Sequence, residues 1–530
     1  MFKLFKKNTR KKKRSTKEKL MILLSLLTIG FAVASLAAFR GIIYLSDATF
    51  WIAKQPAIFI LTALALIGLH AWLLVKKTTK KRIALVTLSV LSLLSLVINT
   101  IIFKQEIASY EPKIETSFTG TAAKMDGSSF MAGSAKGDIT PLDYMFPMPL
   151  LSVLKFDRVV DPVYARVLAI SDGKQEALYI TLDMTFVPEA DETLKTLSEH
   201  TGIPVENIFI SATHTHGATP VSLMDFHGTD AAKITEWYGQ VKETLLKTVD
   251  EARQNMVPAR YGYGTGTSNV NVNRDMDGEK SVLGSNFDRY SDKTVRVMRF
   301  ESLDGDNIGL VVNYAVHSVV ANGALVGGLR THWTSDLAGY TSRKLENMLD
   351  SGAVLYSVGA AGDQNPGLRA QYGGPTGGSN PAVSNLGAAS YNVLDYLSEI
   401  HARDILAANE NLVADKTDGT IYSAEKVVQA EAAEEGETID YRLRIFQIGD
   451  VMFQGVDAEI VSSIGQAVTA TSPVENTMLV MITNGYQGYI ADDWGYDHNA
   501  FEAGNAKTKK GAGQKALVEG FTDLFAEMEK

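Results

Sequence analysis

The 530-residue chain contains no cysteine and only nine histidines. Without cysteine it can form neither a disulfide framework nor a thiolate metal site. A tightly held metal ion would need histidine, carboxylate, tyrosine or backbone oxygen ligands, which suit zinc or a harder ion. The chain also lacks an evident internal repeat.

Positive charge is scarce over most of the chain and concentrated at its beginning. Residues 1–19 hold ten Lys or Arg and one Glu, or about +9; since the whole chain has a formal net charge of −9, the rest carries about −18. A soluble nucleic-acid-binding protein would not separate its charge in this way, so we predict no nucleic-acid partner. Attraction to anionic lipid headgroups is a sufficient explanation of the basic segment.

Three long apolar runs follow the basic segment, at about 20–45, 57–75 and 83–103. Each is close to the roughly 20 residues that a helix needs to span a bilayer. A cleaved signal peptide is disfavoured because the first run is too long and two more follow it. Basic residues recur at 76–82, and positively charged loops stay inside. We therefore predict a multi-pass protein of the cytoplasmic membrane with a cytoplasmic N-terminus and an outer domain after residue 103.

We predict four regions: a basic tail at 1–19, three transmembrane helices at 20–104, a polar linker at 105–130 and an extracytoplasmic domain at 131–530. Strand-like and helix-like patterns alternate in the last region, which predicts an α/β fold with a mixed sheet and flanking helices. The predicted strands are 164–171, 176–184, 307–316, 353–359 and 477–483, with a hairpin at 441–455. The predicted helices are 188–201, 231–255, 337–349, 382–411, 459–471 and 517–528.

Three histidines stand just after apolar, strand-like runs. His214 and His216 follow the run at 207–210, and His317 follows the run at 307–316. Side chains two positions apart point to the same side of an extended chain, so His214 and His216 are expected to face one cleft together. Hydrogen-bonded structural histidines and a metal site are both compatible with this spacing.

The segment at 208–217 resembles the histidine-pair motif of the neutral/alkaline ceramidases. Other segments resemble further motifs of that family in the same order over nearly the whole outer domain. These segments are 137–141, 179–183, 271–274 with 292–294, 313–317, 335–340, 362–366, 457–459 and 484–489. The resemblance implies a metal-dependent hydrolase that cleaves an amide bond.

The resemblance also implies one zinc ion with four ligands, which are His214, His317, Glu459 and Tyr489. Such a ligand set leaves room for a water molecule or a substrate oxygen. Zinc lowers the pKa of bound water toward about 7 and polarises a carbonyl group under attack.

Further residues receive roles from the same resemblance. His216 is expected to bond to the developing oxyanion or to transfer a proton. Arg274 is expected to add positive charge beside the oxyanion, with a surface ion pair as the alternative. Asp183 and Asp363 are candidates either for orienting the ligand histidines or for capping turns.

Asn365 departs from the family pattern, because the family has a serine at this position. Asparagine can donate a hydrogen bond, but it cannot serve as a nucleophile or a proton relay. Metal binding is expected to survive the change, whereas the substrate is expected to differ from ceramide. Few residues follow Tyr489, so the C-terminal immunoglobulin-like domain of the family is not expected here.

Together these features predict a membrane-anchored zinc-dependent hydrolase with an extracytoplasmic active site. Its partners would be the lipid bilayer and an amphiphilic or N-acylated substrate, such as a lipid or an envelope molecule. One alternative is a hydrolase that acts on a cell-envelope polymer or an ester. Another is a non-catalytic lipid or ligand sensor that kept the fold and lost turnover, which Asn365 would permit.

Overall fold

The computed structural model describes residues 130–150, 154–218, 229–276, 283–328, 330–372 and 384–528. The predicted basic tail and membrane spans, and nearly all of the predicted linker, lie outside the described residues. Within those described ranges, no helix is both long enough and apolar enough to cross a membrane.

The described part of the chain contains twenty-two strands. They are β1 (Met131–Asp138), β2 (Met148–Pro149), β3 (Lys155–Val159), β4 (Tyr164–Ser171), β5 (Glu176–Leu182), β6 (Ile208–Ala212), β7 (Val257–Thr267), β8 (Asn271–Asp275), β9 (Leu283–Asn286), β10 (Thr294–Ser302), β11 (Asn307–Tyr314), β12 (Arg330–Trp333), β13 (Ala353–Val358), β14 (Gln364–Pro366), β15 (Gln371–Tyr372), β16 (Ser384–Asn385), β17 (Ile421–Glu431), β18 (Thr438–Ile448), β19 (Val451–Val456), β20 (Glu459–Ile460), β21 (Asn476–Met481) and β22 (Tyr489–Ile490).

The helices alternate with these strands. They are α1 (Ala190–Thr201), α2 (Thr229–Gln254), α3 (Asp336–Leu349), α4 (Ser390–Glu410), α5 (Ser462–Thr469), α6 (Asp493–Asp497), α7 (Phe501–Asn505) and α8 (Ala512–Met528). Most of the predicted elements are confirmed within a few residues of their ends. The mixed α/β class is confirmed as well.

The largest sheet has eight strands in the order β13-β11-β10-β7-β1-β4-β5-β6. Most neighbours are antiparallel, but β5 and β6 are parallel, as are β11 and β13. The sheet curls strongly: the hydroxyl of Tyr179 in β5 lies 2.6 Å from that of Ser357 in β13, although these strands are far apart in the strand order. Segments that follow distant strands can therefore meet.

A second sheet, in the order β17-β18-β19-β21, packs against one face of the first. Aromatic side chains fill the space between them. The rings of Tyr179 and Phe209 stack with centroids 5.1 Å apart, and Phe209 lies 5.6 Å from Phe446 of the second sheet. Because these rings bury a large apolar area, they are a main source of attraction between the sheets.

Helices cover the outer faces of both sheets. The side chains of Trp237, Val241, Leu245 and Val249, which share one face of α2 by their helical spacing, are buried against the first sheet. The helices α5 and α8 cover the second sheet. The result is a layered helix–sheet–sheet–helix arrangement.

Two helix predictions need correction. The helix predicted to begin at 382 begins at Ser390, after a 3₁₀ turn in which Gly387 has a left-handed φ of +55°. The helix predicted at 459–471 spans only Ser462–Thr469, because Glu459 and Ile460 form strand β20 instead. These two residues pair with β22 in parallel, so long-range pairing overrides the local helical pattern.

Buried asparagines join the two sheets near the ends of their strands. The side chain of Asn484 accepts a hydrogen bond from the backbone of Ile210 (2.9 Å) and donates one to the carbonyl of Ile208 (3.0 Å). Asn313 of β11 donates to the carbonyl of Leu479 in β21 at 2.8 Å. These contacts fix the segments after β6, β11 and β21 relative to one another.

Candidate metal centre

Segments that follow strands of both sheets meet at one place in the fold. A backbone bridge between Thr215 and Ser318 joins the segment after β6 to the segment after β11. The backbone N–H of Gly362, after β13, donates to the carbonyl of Ile460 in β20 at 2.9 Å. The predicted site residues on these segments are therefore brought together from distant parts of the chain.

His214 has a backbone conformation that the sequence did not indicate. β6 ends at Ala212, and His214 has a left-handed φ of +54°, so the expected extended chain is wrong, although the rings of His214 and His216 lie together as predicted. A left-handed conformation costs a non-glycine residue about 1–3 kcal/mol and is typical of functional sites. The ring nitrogen Nδ1 lies 2.8 Å from the carbonyl oxygen of Thr185, which fixes the ring orientation.

Glu459 lies between two histidines. Its Oε2 atom is 3.1 Å from Nε2 of His214 and 3.1 Å from Nε2 of His317. The other oxygen, Oε1, accepts a hydrogen bond from the hydroxyl of Tyr486 at 2.8 Å. All three members of the His–Glu–His group are buried.

The charge states in this group are set by burial and by neighbours. Burial and then the positive charge of Arg274 lower the pKa of His317 to about 4, so its ring is neutral at pH 7. Burial alone would raise the pKa of Glu459, but His214 and His317 outweigh it and hold that pKa well below its usual value. An ionised carboxylate therefore faces at least one neutral imidazole.

The hydrogen bonds of the histidines leave their second nitrogens available. Nδ1 of His317 lies 3.1 Å from the carbonyl oxygen of Gln364, and Nδ1 of His214 lies 2.8 Å from that of Thr185. A carbonyl oxygen can only accept, so Nδ1 of both rings is assigned a proton. A ring without a second proton has its lone pair on Nε2, beside the Glu459 carboxylate, and a shared cation would stabilise such a set of acceptors.

His216 completes the cluster on its more accessible side. Its Nε2 atom is 3.2 Å from that of His214, and the two ring centroids are 4.6 Å apart. Ring nitrogens of His214, His216 and His317 all lie within 4.8 Å of one another. Burial, followed by His214 and His317, lowers the pKa of the half-buried His216 well below its usual value. The neutral ring can therefore accept a proton.

Tyr489 and Arg274 lie beside this cluster. Tyr489 pairs with Glu459 across β20 and β22, and its hydroxyl receives a hydrogen bond from Nη2 of Arg274 at 3.2 Å. Burial and then the charge of Glu459 raise the pKa of Tyr489 well above its usual value. A cation beside the phenol would favour its ionised form.

The guanidinium of Arg274 also contacts Asn365, the residue that departs from the family pattern. Its Nη1 atom lies 3.5 Å from Oδ1 of Asn365, which is buried in β14. A buried ion pair with Glu502, 2.6 Å from Nη2, balances the charge of Arg274. The surface ion pair considered for Arg274 is therefore wrong.

Asp183 and Asp363 do not contact the histidines through any hydrogen bond among the described residues. Asp183 accepts from Arg166 at 2.8 Å and from the backbone of Tyr164 at 3.0 Å. Asp363 accepts from Asn273 at 2.7 Å and from Ser462 at 2.8 Å. These carboxylates hold neighbouring strands and turns, and the backbone carbonyls near them orient the rings.

Four contributors to the site were missed in the sequence. The carbonyls of Thr185 and Gln364 carry no signal in side-chain identity. Tyr486 lies in the segment that resembles a family motif, and its position three residues before Tyr489 was a usable signal. Glu502 lies outside every matching segment, so only the fold reveals its contact with Arg274.

Aromatic side chains form a wall beside Glu459. The rings of Phe186 and Tyr486 stack with centroids 4.9 Å apart. Tyr486 is 37% exposed, so this wall faces solvent next to the carboxylate that its hydroxyl contacts. Such a surface suits an apolar portion of a ligand.

The donor set fits a metal such as zinc. Two ring nitrogens and a carboxylate oxygen converge, a phenol and a third imidazole lie beside them, and the second nitrogens of two rings are oriented by carbonyls. An α/β scaffold that gathers such residues from distant loops has the arrangement of a metal-centre protein.

Comparison with known families and structures identifies the fold. Residues 159–393 match the family model of the N-terminal region of neutral/alkaline non-lysosomal ceramidase. The structure is similar to that of neutral ceramidase from Pseudomonas aeruginosa, with a TM-score of 0.58 and 16% sequence identity over 76% of this chain and 75% of that chain. It is also similar to a ceramidase complexed with C2, with a TM-score of 0.57, 16% identity and 76% of each chain covered. The domain thus has the fold of these ceramidases.

Proposed function

We propose that the protein is a zinc-dependent hydrolase that cleaves an amide bond in an N-acylated lipid or a related amphiphilic envelope molecule. The observation that carries the proposal is the approach of Glu459 Oε2 to Nε2 of both His214 and His317, at 3.1 Å each. These three residues would hold the ion together with the phenol of Tyr489. The chemistry that zinc supplies in such a site is Lewis-acid activation of water and of a carbonyl group.

The neighbouring side chains have the properties that amide hydrolysis requires. His216 is neutral, half-buried and next to the ligand histidines, so it can accept a proton and later return it to the leaving amine. Arg274 keeps its charge because Glu502 and Tyr489 raise its pKa against the effect of burial. Its N–H groups can stabilise an oxyanion.

The substrate class is supported by two observations. The stacked pair Phe186 and Tyr486 offers an apolar surface directly beside Glu459, which suits an acyl chain. The similar solved structures are ceramidases. Asn365 replaces the family serine near Arg274, so we propose a substrate other than ceramide itself.

We also propose that the apolar runs at 20–103 anchor the protein in the cytoplasmic membrane, with residues 131–530 outside the cell. The support is the length of the runs and the basic segments that flank them. Removal of residues 1–104 should release the protein from membranes and leave its zinc content unchanged. A remainder that stays in the membrane fraction would contradict the anchor.

The proposed activity is tested with the full-length protein. Zinc is measured by elemental analysis, and hydrolysis is measured on N-acylsphingosine, on N-acyl amino lipids and on their ester analogues. We expect one zinc per chain and release of fatty acid from an N-acyl lipid, with both lost in Glu459→Ala. Glu519→Ala removes an exposed carboxylate and serves as the matched control.

Two further results would distinguish a different function or a different substrate. Zinc bound without turnover on any acyl substrate would favour a sensor over an enzyme. Asn365→Ser is expected to increase activity on N-acylsphingosine relative to other N-acyl lipids. An unchanged preference would show that Asn365 does not set the substrate.

A further inference from the structure

Helix α7 fixes the position of Arg274 from one side. Nε of Arg274 donates to Oε1 of Glu502 at 2.7 Å, and Nη2 lies 2.6 Å from the same oxygen. Glu502 is fully buried. The guanidinium carbon lies 5.1 Å from the ring centroid of Phe501 and 5.8 Å from that of Tyr489. Arg274 is therefore held by an ion pair and two aromatic rings.

A second carboxyl group lies next to this ion pair. Asp275 follows Arg274 in β8, and its side chain is within hydrogen-bonding reach of Glu502. In the described part of the chain, Oδ1 of Asp275 and Oε2 of Glu502 are buried and lack a hydrogen-bond partner. Two adjacent carboxylates would repel, whereas one proton between them gives a strong, charge-assisted hydrogen bond.

The surroundings favour a protonated partner in this pair. Burial, then Glu502 and Asp363, raise the pKa of Asp275 to about 9, and the charge of Arg274 only partly opposes them. Among the described residues, these carboxyl groups are not part of a cluster that could hold a metal ion. In the described part of the chain, the three metal-ligating side chains close enough to share one ion are His214, His216 and His317.

We propose that Asp275 and Glu502 share one proton and act as a positioning pair for Arg274. The pair then carries a single negative charge, which matches the single positive charge of the guanidinium. A second negative charge would draw the guanidinium away from Asn365 and Tyr489. The role in turnover rests on the proposed function, whereas the shared proton does not.

The shared proton is tested through the pH dependence of folding. The pKa of Asp275 is about 9 in the fold and near 3.8 in a free side chain. Between pH 3.8 and pH 9 the folded state therefore keeps a proton that the unfolded state has already released. The stability from this proton is complete below the lower value and is lost as pH rises toward 9. Between pH 6 and pH 8 the unfolding equilibrium constant of the wild type should therefore gain about tenfold per pH unit from this group.

Two amide variants should lose that contribution. In Asp275→Asn and in Glu502→Gln an amide N–H replaces the shared proton. Both should therefore show a pH dependence shallower than the wild type by one proton, measured by urea denaturation of the full-length protein at fixed free zinc. If one variant does not fold, the other still gives the comparison. A slope equal to that of the wild type would overturn the shared proton.

Turnover then tests positioning. Asp275→Asn keeps a donor to Glu502 and should retain the activity that Asp275→Ala loses. Glu502→Gln takes the charge from the carboxylate that contacts Arg274 and leaves it on Asp275, so it should lower kcat at least tenfold, with KM and zinc content little changed. Equal losses in Asp275→Asn and Asp275→Ala, or wild-type kcat in Glu502→Gln, would overturn the positioning role. If the wild type hydrolyses nothing, the proposed function fails while the folding test still decides the shared proton.

Discussion

Oε2 of Glu459 lies 3.1 Å from Nε2 of His317, although 142 residues separate them along the chain. His317 follows β11 of the curled eight-stranded sheet, and Glu459 follows β19 of the second sheet. The candidate centre therefore exists only when both sheets are assembled. Metal binding and folding of this domain should be thermodynamically coupled.

The coupling predicts that zinc stabilises the domain. Free zinc at about 100 times its dissociation constant should raise the free energy of unfolding by about 2.7 kcal/mol. Urea denaturation over a series of buffered zinc concentrations measures this shift. Glu459→Gln should lose most of it, because it removes the carboxylate charge between the two histidines. An equal shift in Glu459→Gln and in the exposed control Glu519→Gln would contradict a site at Glu459.

Tyr486→Phe should weaken zinc binding without removing a proposed ligand. The variant loses the 2.8 Å hydrogen bond to Oε1 of Glu459 and keeps the ring that stacks on Phe186. Loss of such a supporting hydrogen bond typically costs about 10–100-fold in metal affinity. Competition with a chelator of known affinity measures the change.

Tyr496→Phe is the matched control for that experiment. Its hydroxyl donates to the carbonyl of Thr508 at 2.6 Å, so the variant also loses one tyrosine hydrogen bond, but not one to Glu459. Its zinc affinity should equal that of the wild type. If both variants weaken zinc binding equally, the effect is a general loss of stability rather than loss of the bond to Glu459.

The elements of this fold were predictable to the extent that local patterns decide them. The hairpin at 164–184 follows from two strand-like runs on either side of the turn at Gly173, and the stripe of α2 follows from helical spacing. Pairing between distant segments has no such local signal. Glu459 has a helix-like context and becomes a strand because Tyr489 pairs with it. The curl of the large sheet, which brings His214 to His317, is likewise a tertiary property.

The candidate site, like the fold, was predictable only in part from the sequence. The proposed ligand types and positions came from residues and from the family resemblance, and the structure brings His214, His317 and Glu459 together. The left-handed backbone at His214 and the carbonyls that orient the rings could not be read from side-chain identity. Glu502 was missed because no matching segment contains it, although it makes the closest charged contact to Arg274.

Asn484 should be important for the connection between the sheets. Asn484→Ala removes its hydrogen bonds to Ile210 and Ile208 and places alanine at a left-handed φ of +56°. A buried unsatisfied backbone group and the strained conformation together should cost about 2–4 kcal/mol of stability. Asn484→Gly loses the same bonds but tolerates the backbone, so it should be less destabilised than Asn484→Ala. Equal stability of both variants in urea denaturation would exclude a contribution from the backbone conformation.

Stability at acid pH should depend on His401, which is remote from the proposed ligands in sequence. Its ring is buried between the hydroxyls of Tyr356 and Ser268, at 2.8 and 2.9 Å, and burial lowers its pKa to about 3. Below about pH 6.5 the unfolded state binds a proton that the folded state does not bind until about pH 3. Stability is therefore lost as pH falls from about 6.5 toward 3. The expected loss is up to about 1.4 kcal/mol per pH unit in this range.

A glutamine at this position separates the contribution of His401 from that of the acidic groups. His401→Gln cannot titrate, so between pH 6.5 and pH 4 its free energy of unfolding should fall less steeply than that of the wild type. His200→Gln changes a partly exposed histidine that contacts Asp250 and should not reproduce the shallower slope. Urea denaturation at a series of pH values measures all three proteins. Parallel curves for the wild type and His401→Gln would show that the ring of His401 does not resist protonation in the fold.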